Sequence, residues 1–414
     1  MRRGTWHQCG HNSQILVAEL MEAGLGVGAI ISPKDLALDK AKEYAAQYRG
    51  LGKGVLFDPQ FYEPEFAAGK LGTYPTAAFR QSIGALGALQ PSVMTGLAQA
   101  LETENRELGC DAVIAPAIPY EAARPDIVGL NARLFDAAKA AGDAIGIPTY
   151  ATIVLGHSTT TLDVAQAILS GATALNADGW YYAFEFDAQQ RLPTDIEAVY
   201  RYGTAGLTLA CTGKPVLHAC AGPLANISYG AGARGAGIGI WQNLWGFTRS
   251  KFQPATAQGG GGDAPPRYFS APLWGTIVHP DETLQLPSGL HARVMQHSPY
   301  SQNLTPGVPW SKREASKHLV HVIATATDPL AQSADARQAM AAAIATLVAA
   351  NALHGAIRST GVQLRDSTDT YQSAWAAAGT RLLANNTDDY DWLELSGGPY
   401  RLALRFRATH SPTC

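Results

Sequence analysis

Cysteine is scarce in this chain of 414 residues, and the five that are present lie far apart. No two of them form a Cys-x-x-Cys pair, which argues against a zinc ribbon and against a disulfide framework. Charge is scarce as well: charged residues make up 16% of the chain and the formal net charge is −3. We therefore expect a reduced, cytoplasmic protein without a strong nucleic-acid footprint.

Long hydrophobic runs are also missing. No stretch approaches 18 uninterrupted apolar residues, so we expect no membrane span and no membrane partner. The first residues carry two arginines without an apolar run behind them, and this start does not predict a signal peptide. The hydrophobic share of 46% lies in the ordinary range of globular proteins, which excludes disorder for most of the chain.

What the sequence does contain is a repeated unit, in which a short apolar run is followed by polar residues and then by a helical stretch. Eight such units predict an α/β protein with a closed (β/α)₈ barrel, also called a TIM barrel. The alternative is an open doubly wound sheet, but the first turn lacks the Gly-x-Gly-x-x-Gly pattern of that fold. The predicted strands are 5–9, 26–31, 55–58, 111–115, 149–155, 180–186, 215–219 and 237–241.

The sequence pattern changes after the eighth unit. We predict a barrel over 1–305 and a mainly helical region over 306–414, which would serve as a cap or as an interaction surface for a second copy or a protein partner. Residues 268–300 are expected to supply the closing helix of the barrel. Longer helices are predicted at 334–358 and 367–383, and short strands at 393–395 and 400–407.

Residues 248–267 have the composition of a flexible loop, with four consecutive glycines at 259–262. Because this loop leaves the eighth strand, we expect it to lie over the mouth of the barrel as a mobile cover that excludes water. The alternative is a solvated connector without a role.

Active sites of β/α barrels lie at the carboxyl ends of the strands, so the polar residues that end each run are the candidates. Asp58 and Glu185 follow strands three and six, and one carboxylate could act as acid or base while the other attacks or stabilises positive charge. His157 and His218 are further catalytic candidates. The candidate substrate-binding residues at the same strand ends are His11, Asn12, Lys34, Gln60, Tyr62, Tyr182, Gln242 and Asn243.

Glycines are dense in units seven and eight. Gly222, Gly235 and Gly237 are candidate phosphate-binding residues, because phosphate groups often bind after strands seven and eight of this fold. The alternative is that these glycines only allow tight turns and close packing.

Histidines at strand ends raise the possibility of a metal. His7 and His11 are spaced His-x-x-x-His, whereas the metal-dependent amidohydrolase barrels are typified by His-x-His on strand one. No lysine ends strand four and no aspartate ends strand eight. We therefore predict no bound metal and leave the cofactor open.

Residues 56–61, Leu-Phe-Asp-Pro-Gln-Phe, are similar in placement to the aspartate–aromatic stretch of the tRNA-guanine transglycosylases. That resemblance implies a barrel that exchanges a base through an aspartyl intermediate. The chain lacks the family's cysteine-rich zinc site, and residues 240–243, Ile-Trp-Gln-Asn, stand where the family has an aspartate.

Three functions remain open at the level of sequence. We expect an enzyme, a glycosyl transferase or hydrolase, that acts on a glycosidic or phosphate-bearing small molecule or nucleotide through carboxylate chemistry. The second is a barrel oxidoreductase that binds a flavin or phosphate cofactor, which a visible absorption spectrum would identify. The third is a non-catalytic barrel subunit of a larger assembly.

Overall fold

The computed structural model describes residues 1–66, 69–84, 90–156, 158–159, 162–186, 192–253, 265–302, 304, 310–365 and 369–395. Eight parallel strands close into a barrel in chain order, so that the last strand pairs with the first. The prediction of a (β/α)₈ barrel is confirmed. The barrel strands are β1 (Gly4–Gln8), β2 (Gly28–Ile31), β3 (Gly54–Phe57), β4 (Ala112–Ile114), β5 (Thr149–Leu155), β6 (Gly179–Phe184), β7 (Val216–His218) and β8 (Gly235–Gly239).

Helices follow the strands and pack around the barrel wall. Two of these helices are followed directly by a glycine in the left-handed backbone region. The φ angle is 61° at Gly109 and 74° at Gly146. The helices of this layer are α1 (Gln14–Glu22), α2 (Leu38–Gly50), α3 (Ala77–Gly84), α4 (Pro91–Leu108), α5 (Asp126–Ile145), α6 (Leu162–Thr173), α7 (Ile196–Ala210) and α8 (Ala225–Gly230).

The closing helix comes from a later part of the chain than predicted. Residues 268–300 contain an antiparallel hairpin, β9 (Arg267–Ser270) and β10 (Gly275–Val278), followed by the short helix α9 (Ser288–Val294). Tyr268 and Phe269 in β9 and the β-branched residues 276–278 in β10 are types that favour strands. The helix that packs between α1 and α8 against β1 and β8 is α10 (Lys312–Gln332).

The start of α10 follows the capping pattern visible in the sequence. The Ser311 hydroxyl accepts a hydrogen bond from the backbone N–H of Glu314 at 3.1 Å and donates one to the Glu314 carboxylate at 3.1 Å. These contacts satisfy a backbone donor that a helix start otherwise leaves unpaired.

Three further helices form an outer layer on one side of the barrel: α11 (Ala336–Arg358), α12 (Asp369–Asn385) and α13 (Thr387–Leu395). They pack on α7 and α8, and the hydroxyl of Tyr390 donates to the backbone oxygen of Gly230 at 3.0 Å. The C-terminal region is thus mainly helical, as predicted. Residues 393–395 end a helix rather than form a strand, and 400–407 lie outside the described residues.

Helix α11 is long and apolar enough to cross a membrane by length and composition, which is weak evidence taken alone. One of its faces, including Met340 and Leu347, is buried against its neighbours.

The interior of the barrel is a packed core. Side chains of alternating residues point inward, while their neighbours face the helices. Trp6 is 1% exposed and fills the amino-terminal end, where Gly28, Gly54 and Gly235 leave room for its indole. The core of the barrel interior also contains Ile30, Leu56, Ala112, Ile114, Tyr150, Val154, Tyr181, Ala183, Leu217 and Ala219.

Candidate active site

A cavity of about 290 Å³ opens at the carboxyl ends of the strands. We call it the mouth cavity. Its walls come from the ends of β1, β2, β3, β6 and β7, and from the segment that follows β8. The residues lining it include Gln8, Cys9, His11, Ser32, Lys34, Asp35, Asp58, Gln60, Tyr62, Tyr181, Cys220, Trp241, Asn243, Phe247, Ser250, Lys251 and Phe252.

Asp58 follows β3 directly, is 4% exposed and lines this cavity. Three hydrogen-bond donors converge on its carboxylate. The Tyr62 hydroxyl lies 3.0 and 2.9 Å from the two carboxylate oxygens, and the Tyr181 hydroxyl donates to Oδ2 at 3.0 Å. The backbone N–H of Gln60 donates to Oδ1 at 3.0 Å. The carboxylate is therefore held in a fixed orientation by residues from two strand ends.

Burial raises the pKa of Asp58 from its ordinary 3.8 to about 6. The hydrogen bonds from Gln60, Tyr62 and Tyr181 and the positive charge of Arg80 act in the opposite direction. The desolvation of the charged form outweighs them. A carboxyl group with a pKa near the working pH can both accept and return a proton, which is what general acid–base chemistry needs.

The loop after β3 is fixed from behind by a buried arginine. Arg80, on α3, is 2% exposed and donates hydrogen bonds to the backbone oxygens of Gln60 and Pro59. Its guanidinium also stacks over the ring of Phe61, 4.3 Å from the ring centroid. Gln60 adopts a left-handed backbone angle, with φ of 54°, and this support on both sides holds the strained turn.

Lys34 brings a positive charge to the cavity wall. Its backbone N–H lies 3.4 Å from the side-chain oxygen of Gln60, and its ammonium lies 5.8 Å from the ring centroid of Phe252. Partial burial lowers the pKa of Lys34, while the charge of Asp35 raises it. The ammonium is therefore placed beside the cavity at the cost of part of its hydration.

Aromatic rings form another wall. Tyr62 contacts Phe247 and Phe252 edge-on, with centroid distances of 4.8 Å in both pairs. Phe247 and Phe252 stack on each other at 5.5 Å. Flat apolar walls beside a few fixed polar groups are the usual make-up of a small-molecule site.

Gln8, Tyr181 and Cys220 are among the lining residues of the cavity that were not predicted as site residues from the sequence. The side-chain oxygen of Gln8 is buried and accepts no hydrogen bond from the part of the chain that the structure describes. Cys220 has a φ of 51°, and burial raises the pKa of its thiol to about 11. Gln8 and Tyr181 could have been predicted only by knowing which alternate residues of β1 and β6 point into the barrel.

Glu185 does not join Asp58 in the mouth cavity. Its two oxygens accept hydrogen bonds from the backbone N–H and the Nε of Arg249, at 2.8 and 2.9 Å. Arg249 also pairs with Glu121. The paired role predicted for Asp58 and Glu185 therefore gains no support, because the Glu185 carboxylate is engaged in holding the segment after β8.

We expect the substitution Glu185→Gln to make the segment after β8 more mobile. The neutral amide keeps the shape but loses the charge that holds Arg249, so residues 249–253 should exchange their amide hydrogens faster in native-state hydrogen–deuterium exchange. Asp136→Asn, an exposed site on α5, serves as the matched control. Equal exchange in both variants would contradict the anchoring role.

His218 and Tyr182 lie on the other side of the barrel wall from the mouth cavity. His218 is fully buried, its Nδ1 is 2.9 Å from the Tyr202 hydroxyl, and a Cβ on Gly206 of α7 would come within 2.6 Å of its ring. Burial lowers the pKa of His218 to about 3. The Tyr182 hydroxyl donates to the backbone oxygen of Tyr202 at 3.2 Å. Both side chains face the helix layer, which does not fit the roles predicted for them.

The three glycines predicted to bind phosphate lie in close contact with other side chains, which leaves no room for a ligand beside them. A Cβ on Gly222 would lie 2.7 Å from the ring of Trp245, and one on Gly237 would lie 3.0 Å from the side-chain oxygen of Gln8. Gly235 begins β8 at the amino-terminal end of the barrel, beside Trp6, and so lies away from the mouth. These contacts favour the alternative interpretation, in which the glycines only allow tight turns and close packing.

The remaining candidates lie at or beyond the rim. Both His11 and Asn243 line the mouth cavity and are exposed, whereas Asn12 and Gln242 do not line it. Gln242 lies 3.4 Å from the Thr276 hydroxyl. His157 and the four glycines at 259–262 lie outside the described residues. The described start of the loop does reach the mouth, where Lys251 and Phe252 form part of the wall.

No group of three histidine, cysteine, aspartate or glutamate side chains suited to a metal occurs within the described residues. No family model matches the chain, and no curated protein matches its sequence. The fold and the geometry of the mouth cavity are therefore the features of this chain that bear on its function.

Proposed function

We propose that this barrel is an enzyme in which Asp58 performs acid–base or nucleophilic chemistry on a small glycosidic or phosphate-bearing molecule or nucleotide. The observation that carries the proposal is the Asp58 carboxylate itself. It is buried, it lines a cavity at the end of the barrel where active sites of this fold lie, and its pKa is raised to about 6.

Asp58 is mostly ionised at neutral pH, because its pKa lies below 7. As a base, it would take a proton from a substrate hydroxyl or a water molecule and become neutral. As a nucleophile, one oxygen would bond to a sugar carbon while that carbon loses its leaving group, and water would later release the sugar. In either case the hydroxyls of Tyr62 and Tyr181 fix the direction in which the carboxylate presents its free lone pairs.

A second carboxylate of the mouth cavity is Asp35 rather than Glu185. Asp35 lines the cavity, and its Oδ2 accepts a hydrogen bond from the Ser32 hydroxyl at 2.9 Å. Ser32 in turn bonds to the side chain of Gln60, whose backbone N–H holds Asp58. The two acidic groups are thus connected through one short polar chain, which makes Asp35 the candidate partner of Asp58.

Two ammonium groups offset the carboxylates of Asp35 and Asp58 in the cavity and could pair with an anionic group on a substrate that has a flat or sugar-like part. Lys34 and Lys251 both line the cavity, and the ammonium of Lys251 donates to the backbone oxygen of Gly246 at 2.5 Å. The rings of Tyr62 and Phe252 offer apolar surface on which a planar or ring-shaped group can lie. A volume of about 290 Å³ suits a single sugar phosphate or nucleoside.

The test is a screen for turnover with nucleosides, nucleotides and sugar phosphates, read by mass spectrometry of the products. We expect Asp58→Asn to lower the rate by roughly 10²–10⁴-fold, the range that such groups contribute. Tyr62→Phe should retain activity but move the acidic limb of the pH–rate profile to higher pH, because it removes a hydrogen bond that favours the ionised carboxylate.

Asp136→Asn is the control for the screen, since it removes an exposed aspartate on α5 and should leave the rate unchanged. An active Asp58→Asn enzyme would overturn the proposal. So would a wild-type protein that neither binds nor converts any compound of these classes.

A further inference from the structure

A second cavity, of about 470 Å³, lies at the opposite end of the barrel from the mouth cavity. We call it the base cavity. Three of its residues lie just before barrel strands: Arg3 and Arg234 directly precede β1 and β8, and Lys214 lies two residues before the start of β7. The cavity therefore belongs to the amino-terminal face of the barrel, which the proposed enzyme function does not use.

The charges on the base cavity are of one sign. Arg3, Lys214 and Arg234 line it, and no aspartate or glutamate appears among its described lining residues. In a chain with a net charge of −3, a concave surface that gathers three cations and no carboxylate is a local departure from the average. Such a surface attracts anions.

None of the three cations forms an ion pair with a carboxylate within the described residues, although the charge of Asp178 raises the pKa of Lys214 against the lowering effect of burial. The guanidinium of Arg3 donates to the backbone oxygen of Ser333 at 3.4 Å, and the ammonium of Lys214 donates to that of Leu175 at 3.4 Å. Burial and the like charge of Arg3 lower the pKa of Arg234, although Tyr150 acts in the opposite direction. Bringing these charges together thus costs free energy that a bound anion would offset.

A long helix also begins at this cavity. Ala334 and Ala336 line it, and Ala336 is the first residue of the 23-residue helix α11. The C-terminal ends of α7 and α10 line the same cavity, so helix ends of both polarities meet there and the attraction for an anion rests on the three cations. The N-cap carboxylate of Asp335 accepts the backbone N–H of Gln338 at 3.0 Å, so that contact is already occupied within the helix.

We propose that the base cavity is a binding site for a small phosphate-bearing molecule, held by Arg3, Lys214 and Arg234. Arginine pairs bidentately with phosphate oxygens, and lysine supplies a point charge. The volume of about 470 Å³ lies within the range of small-molecule sites and exceeds what a single phosphate ion needs. The site is separate from Asp58, so it stands whether or not the proposed enzyme function holds.

Inorganic pyrophosphate is the probe, and its binding is measured by isothermal titration calorimetry on the full chain. We expect saturable binding, and we expect Arg234→Gln and Arg3→Gln each to raise the dissociation constant roughly tenfold. Arg133→Gln, which removes an exposed arginine on α5, is the matched control and should leave binding unchanged.

Lys34→Gln separates this site from the mouth cavity. Retained binding in Lys34→Gln with weakened binding in Arg234→Gln supports the base cavity. The proposal is overturned if pyrophosphate does not bind, if Arg133→Gln weakens binding as much as Arg234→Gln does, or if only Lys34→Gln abolishes it. Circular dichroism of each variant establishes that a loss of binding does not come from unfolding.

Discussion

Asp58→Asn is expected to gain stability relative to the wild-type protein as the pH rises. The folded pKa of about 6 lies above the ordinary 3.8, so the folded wild type holds its proton more tightly than the unfolded chain. Its stability therefore falls as the pH rises from about 4 to 6 and levels off above that. The asparagine variant does not titrate here. Between pH 4.5 and 7.5 the difference in unfolding free energy should grow by about 2 kcal/mol in favour of the variant.

Urea unfolding of both proteins at several pH values measures this difference. Other buried carboxyl groups with raised pKa values, such as Glu104 at about 7, titrate alike in both proteins and cancel in the subtraction. Asp136→Asn should show no growing difference over the same range. A gap between Asp58→Asn and the wild type that stays constant with pH would mean that the pKa of Asp58 is not raised by burial.

The barrel could be predicted from the sequence because its evidence is repeated eight times. Each apolar run and each helical stretch adds to the same conclusion, so an error in one unit does not change the fold. The predicted position of the closing helix was wrong for a different reason. A hairpin and α9 lie between β8 and α10, and no local signal tells which of several later helices fills the gap beside β1.

The residues of the mouth were harder to predict because strands of a parallel barrel are buried on both faces. Trp180, Tyr181 and Tyr182 on β6 are all apolar or aromatic, so the alternation that reveals the inward face of an antiparallel strand is missing. Tyr182 is the residue of β6 predicted to bind substrate, but it is the hydroxyl of Tyr181 that donates a hydrogen bond to Asp58. His218 on β7 was misplaced in the same way.

Asp58 could be predicted to lie near the mouth because it directly follows a barrel strand, but Glu185 also follows its strand and does not line the mouth cavity, so this position alone does not identify a site residue. What the sequence could not supply were the groups that set the properties of Asp58. Arg80 reaches the loop from α3, and Tyr181 reaches the carboxylate from 123 residues away. Such partners are fixed by the closure of the barrel and not by spacing along the chain.

The largest loss of stability is expected for Trp6→Ala. Trp6 is 1% exposed at the amino-terminal end of the barrel interior, and its removal leaves a cavity between strands that cannot collapse. Replacements of buried tryptophan by alanine cost about 3–5 kcal/mol, and we expect a value in that range from urea unfolding at pH 7. A loss under 1 kcal/mol would show that the indole does not pack as described.

The indole of Trp6 also explains why position 235 is a glycine, and a double-mutant cycle tests that explanation. A Cβ on Gly235 would lie 2.9 Å from the indole of Trp6 and 2.8 Å from Leu217, so Gly235→Ala should cost about 1–3 kcal/mol by overpacking. In a Trp6→Leu background the clash with the indole disappears, and the cost of Gly235→Ala should fall by about 1 kcal/mol. Gly129→Ala, on α5 with open space around it, should not destabilise either background. If Gly235→Ala leaves stability unchanged in both backgrounds, the glycine is not there to accommodate Trp6.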